Sequence, residues 1–257
     1  MLTFLLNALK IIVMLGFLVF IHEGGHFLVA KLFKVKVNEF ALGFGPTIFT
    51  KEKGGTKYAL RLIPLGGFVS MEGEEERSDK EGSFSNASVP KRILIVMAGA
   101  IVNIIFGLLA YFLLISFATD FSNTTIENNL LSKLNYGLAN TKNFILAILD
   151  NLKQLFTGKV GANQMVGIVG ISDIVVNTNG FFEYLYIVAL ISLSLGITNL
   201  LPLPPLDGGK ILIYIIELIR RKPMKIETEA KIQLIGFSIL IALSLFVTYN
   251  DILRIGS

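Results

Sequence analysis

Four stretches of this chain are long and apolar enough to cross a membrane, and that limits what it can fold into more than any other feature. A helix through a hydrocarbon core of ~30 Å needs ~20 mostly apolar residues, and segments 11–33, 93–118, 181–201 and 232–249 each meet that need. With 53% of residues hydrophobic and 16% charged, the composition is too apolar for an ordinary soluble domain. The expected fold class is an α-helical integral membrane protein with four transmembrane helices. A further apolar piece, 211–219, is too short to span. It is cut off from the third span by Pro202, Pro204, Pro205, Gly208 and Gly209, so the third helix is expected to be broken. The freed backbone there must be sheltered by protein or water. Lys10 is the only early basic residue and no small-residue cleavage site follows, so no signal peptide is expected.

Basic residues give the sidedness. Eleven Lys and Arg lie between Lys31 and Arg92 and six between Lys210 and Lys231, against four between Thr119 and Gly180. The excess of positive charge on cytoplasmic loops places the first two groups inside, and the 119–180 segment with both termini outside. The first and third helices then finish on the same, cytoplasmic side.

Near the end of the first span stands "FIHEGGHFLVAK", with three ionisable groups in an apolar run. Such groups cost ~2.5 kcal/mol or more each within a bilayer and mark functional sites there. His22 and His26 are four residues apart, so on a helix they differ in direction by about 40° and both rings can face one point, with Glu23 about 60° from His26. This is the HExxH pattern, in which two histidines hold zinc and the glutamate is a general base. The rival reading is two buried histidines bonded to neighbouring helices. Gly24 and Gly25 cost ~1 kcal/mol each against alanine in a helix, which implies a close approach to that face.

A catalytic zinc needs a third protein ligand. Cysteine is absent and the chain has no further histidine, so a carboxylate must supply it. Asp150 and Asp173 lie in the outside segment, Glu183 at the outer end of the third span, and Glu217 near a cytoplasmic basic cluster. Asp207 sits in the Pro/Gly interruption on the side of His22 and His26, although "LDGGKIL" would also suit Asp207 as a helix N-cap.

"HEGGH" in the first span and "NLLPLPPLDGG" (Asn199 to Gly209) after the third together resemble the site-2 protease family of intramembrane zinc metalloproteases, and its bacterial RseP-like branch. "ALGFGPTIF", "RLIPLGGFVSM" and "GSFSNASVPKRILIVMAGAIVN" are similar to the branch's membrane-associated β-loop and second helix, with Ala100 where proline is common. The resemblance implies that His22, His26 and Asp207 bind zinc, that Glu23 activates water and that Asn199 contacts the substrate backbone. It extends substrate binding to Gly43, Phe44, Gly45, Gly66 and Gly67 of the β-loop. It further implies a multi-pass protein of the bacterial cell membrane that hydrolyses peptide bonds in the transmembrane segments of other membrane proteins, in regulated proteolysis or signal-peptide clearance. The expected partners are those segments and the lipid bilayer, with no nucleic acid. The branch usually carries PDZ domains between the second and third spans; about sixty residues cannot hold one of roughly 90.

Outside the spans, 34–70 reads as a membrane-associated β-hairpin or small sheet, with a Gly-Gly turn inside "KEKGGTK". Segment 71–90 is polar and reads as a flexible cytoplasmic linker. In 119–180, Leu130, Leu134, Leu138, Ile145, Leu149, Leu152 and Phe156 form an amphipathic stripe, suited to the outer membrane surface or to the helix bundle. "MVGIVGISDIV" reads as a turn, and Asn103 as a hydrogen-bonding group between helices or a lining of the active cavity. The competing function is a non-catalytic metal-binding membrane protein or transporter, since broken helices also occur at transporter ion sites. Four spans without internal repeat are few for a carrier, and a carrier has no evident use for Glu23. A protease scaffold that has lost activity is the third reading, and it sits poorly with a complete set of metal and base residues.

Overall fold

A computed structural model describes residues 2–119, 129–159, 166–178 and 180–255. The elements follow in the order α1 (Leu2–Leu32), β1 (Val37–Lys53), β2 (Thr56–Met71), α2 (Val89–Phe117), α3 (Leu130–Phe156), α4 (Ile168–Val176), α5 (Phe181–Asn199), α6 (Asp207–Arg220) and α7 (Ile226–Ile255). Four helices carry stretches fit to cross a membrane, Leu5–Leu32, Val89–Phe117, Phe181–Asn199 and Ile226–Arg254, where the sequence predicts them. The chain divides into two compact units, 1–104 with 194–239 and 105–193 with 240–257.

In the first unit, α1 stops because Lys34 takes a left-handed conformation, φ 59°. The amides of Val35 and Lys34 then donate back to the carbonyls of Ala30 and Lys31 at 2.8 and 3.0 Å, closing the helix end and turning the chain into β1. β1 and β2 are antiparallel and meet at Gly54-Gly55, both at positive φ (58° and 72°), which is the turn geometry that favours glycine. Lys53 pairs with Thr56 and Thr50 with Ala59 near this tip. Register shifts beyond it fold the pair over, so that Phe40 and Leu42 lie beside Tyr58 and Leu60 and also beside Val69 and Gly67. Gly67–Met71 is thereby left on the rim, paired with the start of β1 and with no second strand among the described residues.

The core of this unit joins Val37, Phe40, Val69 and Met71 of the sheet to Ala30 of α1, Ile95 of α2 and Tyr214 of α6. Phe84 belongs to it at 2% exposure. The segment around Phe84 departs from the expected free linker. The Ser78 hydroxyl donates to Glu72 at 2.9 Å and that of Ser85 to the Ser78 carbonyl at 3.0 Å, and these turns bring the one large apolar side chain of a polar run inward. The third span is broken as expected. α5 ends at Asn199 and the next helix begins at Asp207, with local bonds such as Leu203 N to Leu201 O (2.7 Å) and Leu206 N to Leu203 O (2.9 Å) using up freed backbone groups. A Cβ at Gly209 would lie 2.6 Å from the Pro204 nitrogen, so this bend closes only on glycine.

In the second unit, the stripe on α3 is real and largely exposed, with Leu138 at 59% and Leu149 at 57%. The opposite side makes the contacts: Phe144 stacks on Tyr111 of α2 at 4.3 Å between centroids, and Gly137 lies against Ser116. The expected turn within 165–175 is instead the helix α4 from Ile168 onward. Fully buried Asp251 of α7 makes that helix possible by accepting from the amides of Gly167 and Gly170, both at 2.9 Å. An anionic side chain there satisfies free N–H groups at the positive end of the helix.

Glu39 ties the sheet together through Arg61 at 2.6 Å and Lys57 at 3.4 Å. Burial alone would raise its pKa, but those two cations outweigh it and hold the carboxylate below the usual range of a glutamate. The folded pKa is thus the lower one, so this stabilisation is complete above the unfolded value and fades as pH falls through the folded one. Protection factors of the 37–71 amides, corrected for intrinsic exchange, are expected to fall between pH 5 and 3 in the parent, and Glu39→Gln is expected to flatten that dependence.

Candidate metal centre

The last turns of α1 carry His22 and His26 on one face, as the four-residue spacing dictates. Each is 9% exposed, and their rings meet edge to face with centroids 4.8 Å apart. Close approach of α2 makes room for this. A Cβ on Gly25 would lie 2.5 Å from the Ala98 carbonyl oxygen, and one on Gly99 3.0 Å from Cε1 of His22. Gly24 faces open space, so only one of the paired glycines is explained by packing.

Asp207 of α6 completes the group from a position 181 residues beyond His26. Its Oδ2 lies 3.1 Å from Nε2 of His22 and 3.4 Å from Nε2 of His26, and the two Nε2 atoms are 3.3 Å apart. Among the described residues this is the one cluster of three or more His, Cys, Asp or Glu side chains placed to hold a metal ion. Asp207 does not cap its helix: the N-cap is Leu206, with no side-chain bond. The buried Oδ2 has no hydrogen-bond partner among the described residues.

The chemistry of the donors fits a cation. Nδ1 of His26 lies 2.9 Å from the Ile95 carbonyl, which can only accept, so Nδ1 carries the proton and Nε2 is left as a bare lone pair. The side-chain amide of Asn103, fully buried on α2, lies 3.3 Å from Nδ1 of His22. It is the amide nitrogen Nδ2 that faces Nδ1 here; the amide turned by 180° accepts from Nδ1–H instead, which gives His22 the tautomer of His26 and leaves three lone pairs to converge on one point. A tetrahedral ion with ligands at about 2.0–2.1 Å requires ligand separations of about 3.3 Å, and the three separations here are 3.1, 3.3 and 3.4 Å.

Glu23 borders the same cavity of about 180 Å³ with Phe68, Val69, Val96, Glu74 and Lys210. Its carboxylate makes no hydrogen bond or ion pair among the described residues, and Gly67 lies so close that a Cβ there would be 3.3 Å from Glu23 Cγ. Of the other anticipated residues, Gly43 (φ 86°), Phe44, Gly45 (φ 82°) and Gly66 (φ 140°) shape the bulged part of the sheet and do not line this cavity. Asn199 ends α5 and is not in the lining either. Two charged lining residues were not anticipated, Glu74 and Lys210, joined at 2.8 Å. Burial would lower the pKa of Lys210, but the Glu74 carboxylate outweighs it and holds the ammonium above its usual range. Only the fold brings these two together, from positions 136 residues apart.

Comparison with known proteins agrees with this geometry. A Fusobacterium nucleatum protein that carries the name "Putative zinc metalloprotease" is 28% identical over 95% of this chain and 98% of its own length. Proteins of the same designation from Clostridium acetobutylicum and Campylobacter jejuni are each 27% identical, over 96% and 97% of this chain and 97% and 94% of their own lengths. The family model of peptidase family M50 matches residues 10–243, and on that match the chain belongs to peptidase family M50.

Proposed function

We propose that this integral membrane protein is a zinc-dependent endopeptidase of the site-2 protease type, cutting transmembrane segments of other membrane proteins. The observation that carries the reading is the triangle of His22 Nε2, His26 Nε2 and Asp207 Oδ2 with an unengaged Glu23 carboxylate beside it. His22, His26 and Asp207 are the zinc ligands. Zinc held there supplies Lewis acidity, polarising a peptide carbonyl and lowering the pKa of water to about 7.

The chain's own groups do the rest. Glu23 accepts the proton of the attacking water and later delivers it to the leaving amine nitrogen, a task for which a carboxylate with no competing partner is suited. A helical substrate keeps its carbonyls in internal hydrogen bonds, so it must unwind before it reacts. The rim Gly67–Met71 offers backbone N–H and C=O groups to an extended segment, with Gly67 next to Glu23 and Phe68 and Val69 in the cavity wall. Asn199 and the Gly43–Gly45 and Gly66 bulge are further contacts for the unwound chain. The exposed apolar side chains Phe44, Ile48, Phe49 and Leu62 suit a sheet that dips into lipid. The basic residues favour a cytoplasmic position for the site, with both termini outside and α3 lying by its stripe on the outer membrane surface in place of a PDZ domain. A carrier would have no use for the free Glu23 carboxylate.

Glu23→Gln is expected to keep about one zinc per chain while cleavage of a single-span model substrate falls by about 10²–10⁴-fold. Undiminished cleavage by that variant would remove the mechanism. His26→Ala and Asp207→Ala are each expected to lose the metal, read by elemental analysis of the purified protein. Asn103→Leu is expected to weaken zinc binding by about 10–100-fold. Asn103→Asp should restore most of it, because a carboxylate still accepts from Nδ1–H of His22.

A further inference from the structure

A second chamber, of about 530 Å³, adjoins the metal cavity within the same unit, and Phe68, Val69, Glu74 and Lys210 line both. Its size falls in the range of ligand sites, about 300–1,000 Å³. The two share a stretch of the β2 rim: Phe68 and Val69 border each, Ser70 only the larger and Met71 only the metal cavity. An extended segment laid along that rim at the metal would continue into this chamber.

The wall is polar, and its charges are unevenly engaged. Three cations line it, and each is already held: Arg92 on Glu217 at 2.9 Å, Arg77 on the Met224 carbonyl at 2.6 Å, and Lys210 on Glu74 at 2.8 Å. Four carboxylates line it, and two of them, Glu75 and Glu229, have no cation within ion-pair distance among the described residues. Glu229 is partly buried, accepts from Gln233 at 3.4 Å and lies within electrostatic reach of Lys210, Arg92 and Arg77 without an ion pair to any of them among the described residues. Tyr214, at 4% exposure, borders the chamber with a hydroxyl that has no hydrogen-bond partner among the described residues. The ring is held in the core while the hydroxyl opens on the chamber, where it is free to bond a ligand.

We propose that this chamber is the subsite for the basic flank of the substrate, the Lys- and Arg-bearing stretch just outside its transmembrane segment on the cytoplasmic side. This inference rests on the hydrolase reading and adds a specificity to it. Flanks of that kind are rich in Lys and Arg because the positive-inside rule places them there, and the free Glu229 carboxylate, with Glu75 at the mouth, is their complement. Tyr214 donates its hydroxyl to a backbone carbonyl of the same stretch. Glu217 offsets one of the two arginines, and with Glu74, Glu75 and Glu229 set against the other and Lys210 the lining is acidic by one charge.

The test uses the zinc-loaded full chain in vesicles of uncharged phosphatidylcholine, with single-span substrates whose flank reads Lys-Lys-Lys, Ser-Ser-Ser or Glu-Glu-Glu. The parent is expected to show kcat/KM about tenfold higher for the lysine than for the glutamate flank, the scale of one or two partly screened charge pairs. Glu229→Lys, with zinc content unchanged, should bring that ratio to one or below. Tyr214→Phe should raise KM about threefold for all three substrates and leave kcat alone. Equal cleavage of the three flanks by the parent, or a preference that survives Glu229→Lys, would overturn the proposal. If Glu229→Lys fails to hold zinc, Glu229→Gln is read instead, and an undiminished ratio there counts against the subsite. A zinc-loaded parent that cuts none of the three substrates would refute the hydrolase reading itself.

Discussion

Three donor atoms crowd together within the first unit, and with no proton or cation between them that arrangement would be costly. His22, His26 and Asp207 are buried or nearly so, and at separations of 3.1–3.4 Å in a poor dielectric their oxygen and nitrogen atoms repel unless something positive joins them. Much of the first unit is arranged to sustain that crowding. The Ile95 carbonyl and Asn103 orient the two rings from α2, and the break between α5 and α6 delivers the carboxylate. Glycines at Gly25 and Gly99 let α1 and α2 come near enough for those bonds to form.

Asp207 illustrates how a helix start can serve chemistry in place of stability. A carboxylate at that position would ordinarily turn back and cap its own amides. Here it sits one residue inside the helix, after Leu206, and the amides of Gly209 and Lys210 turn to the Leu206 carbonyl at 2.9 and 3.3 Å. The side chain is thereby released toward the imidazoles. Asp251, also an aspartate near a helix start but supplied from another helix, does the conventional task for α4.

What the sequence made legible was governed by local rules. Apolar runs marked the four spanning helices, the prolines and glycines marked the broken third one, and Gly54-Gly55 marked the hairpin tip. HExxH spacing put two rings on one face, and side-by-side elimination of carboxylates left Asp207. Features that depend on distant partners stayed hidden. The Glu74–Lys210 pair joins two segments with no shared pattern, and Phe84 in a polar run gave no periodicity to show that it would be buried. α4 reads as a turn in the sequence because Gly167 at its N-cap and Gly170 in its first turn weaken helix propensity, and the Asp251 carboxylate that offsets this lies 84 residues from Gly167. For Gly24 and Gly25 the cost was visible, but which of the two met a neighbour depended on a helix phase that only the packing of α2 settles.

The rim of β2 also has a mechanical consequence. Five residues in an α-helix occupy about 7.5 Å of length, while the same five extended along Gly67–Met71 need about 17 Å. Any helix drawn onto that rim must therefore lengthen by about 9 Å, and the slack has to emerge from the bilayer at one end. A protein that grips its target this way acts as a small winch as well as a blade, pulling nearby chain toward water before any bond is cut.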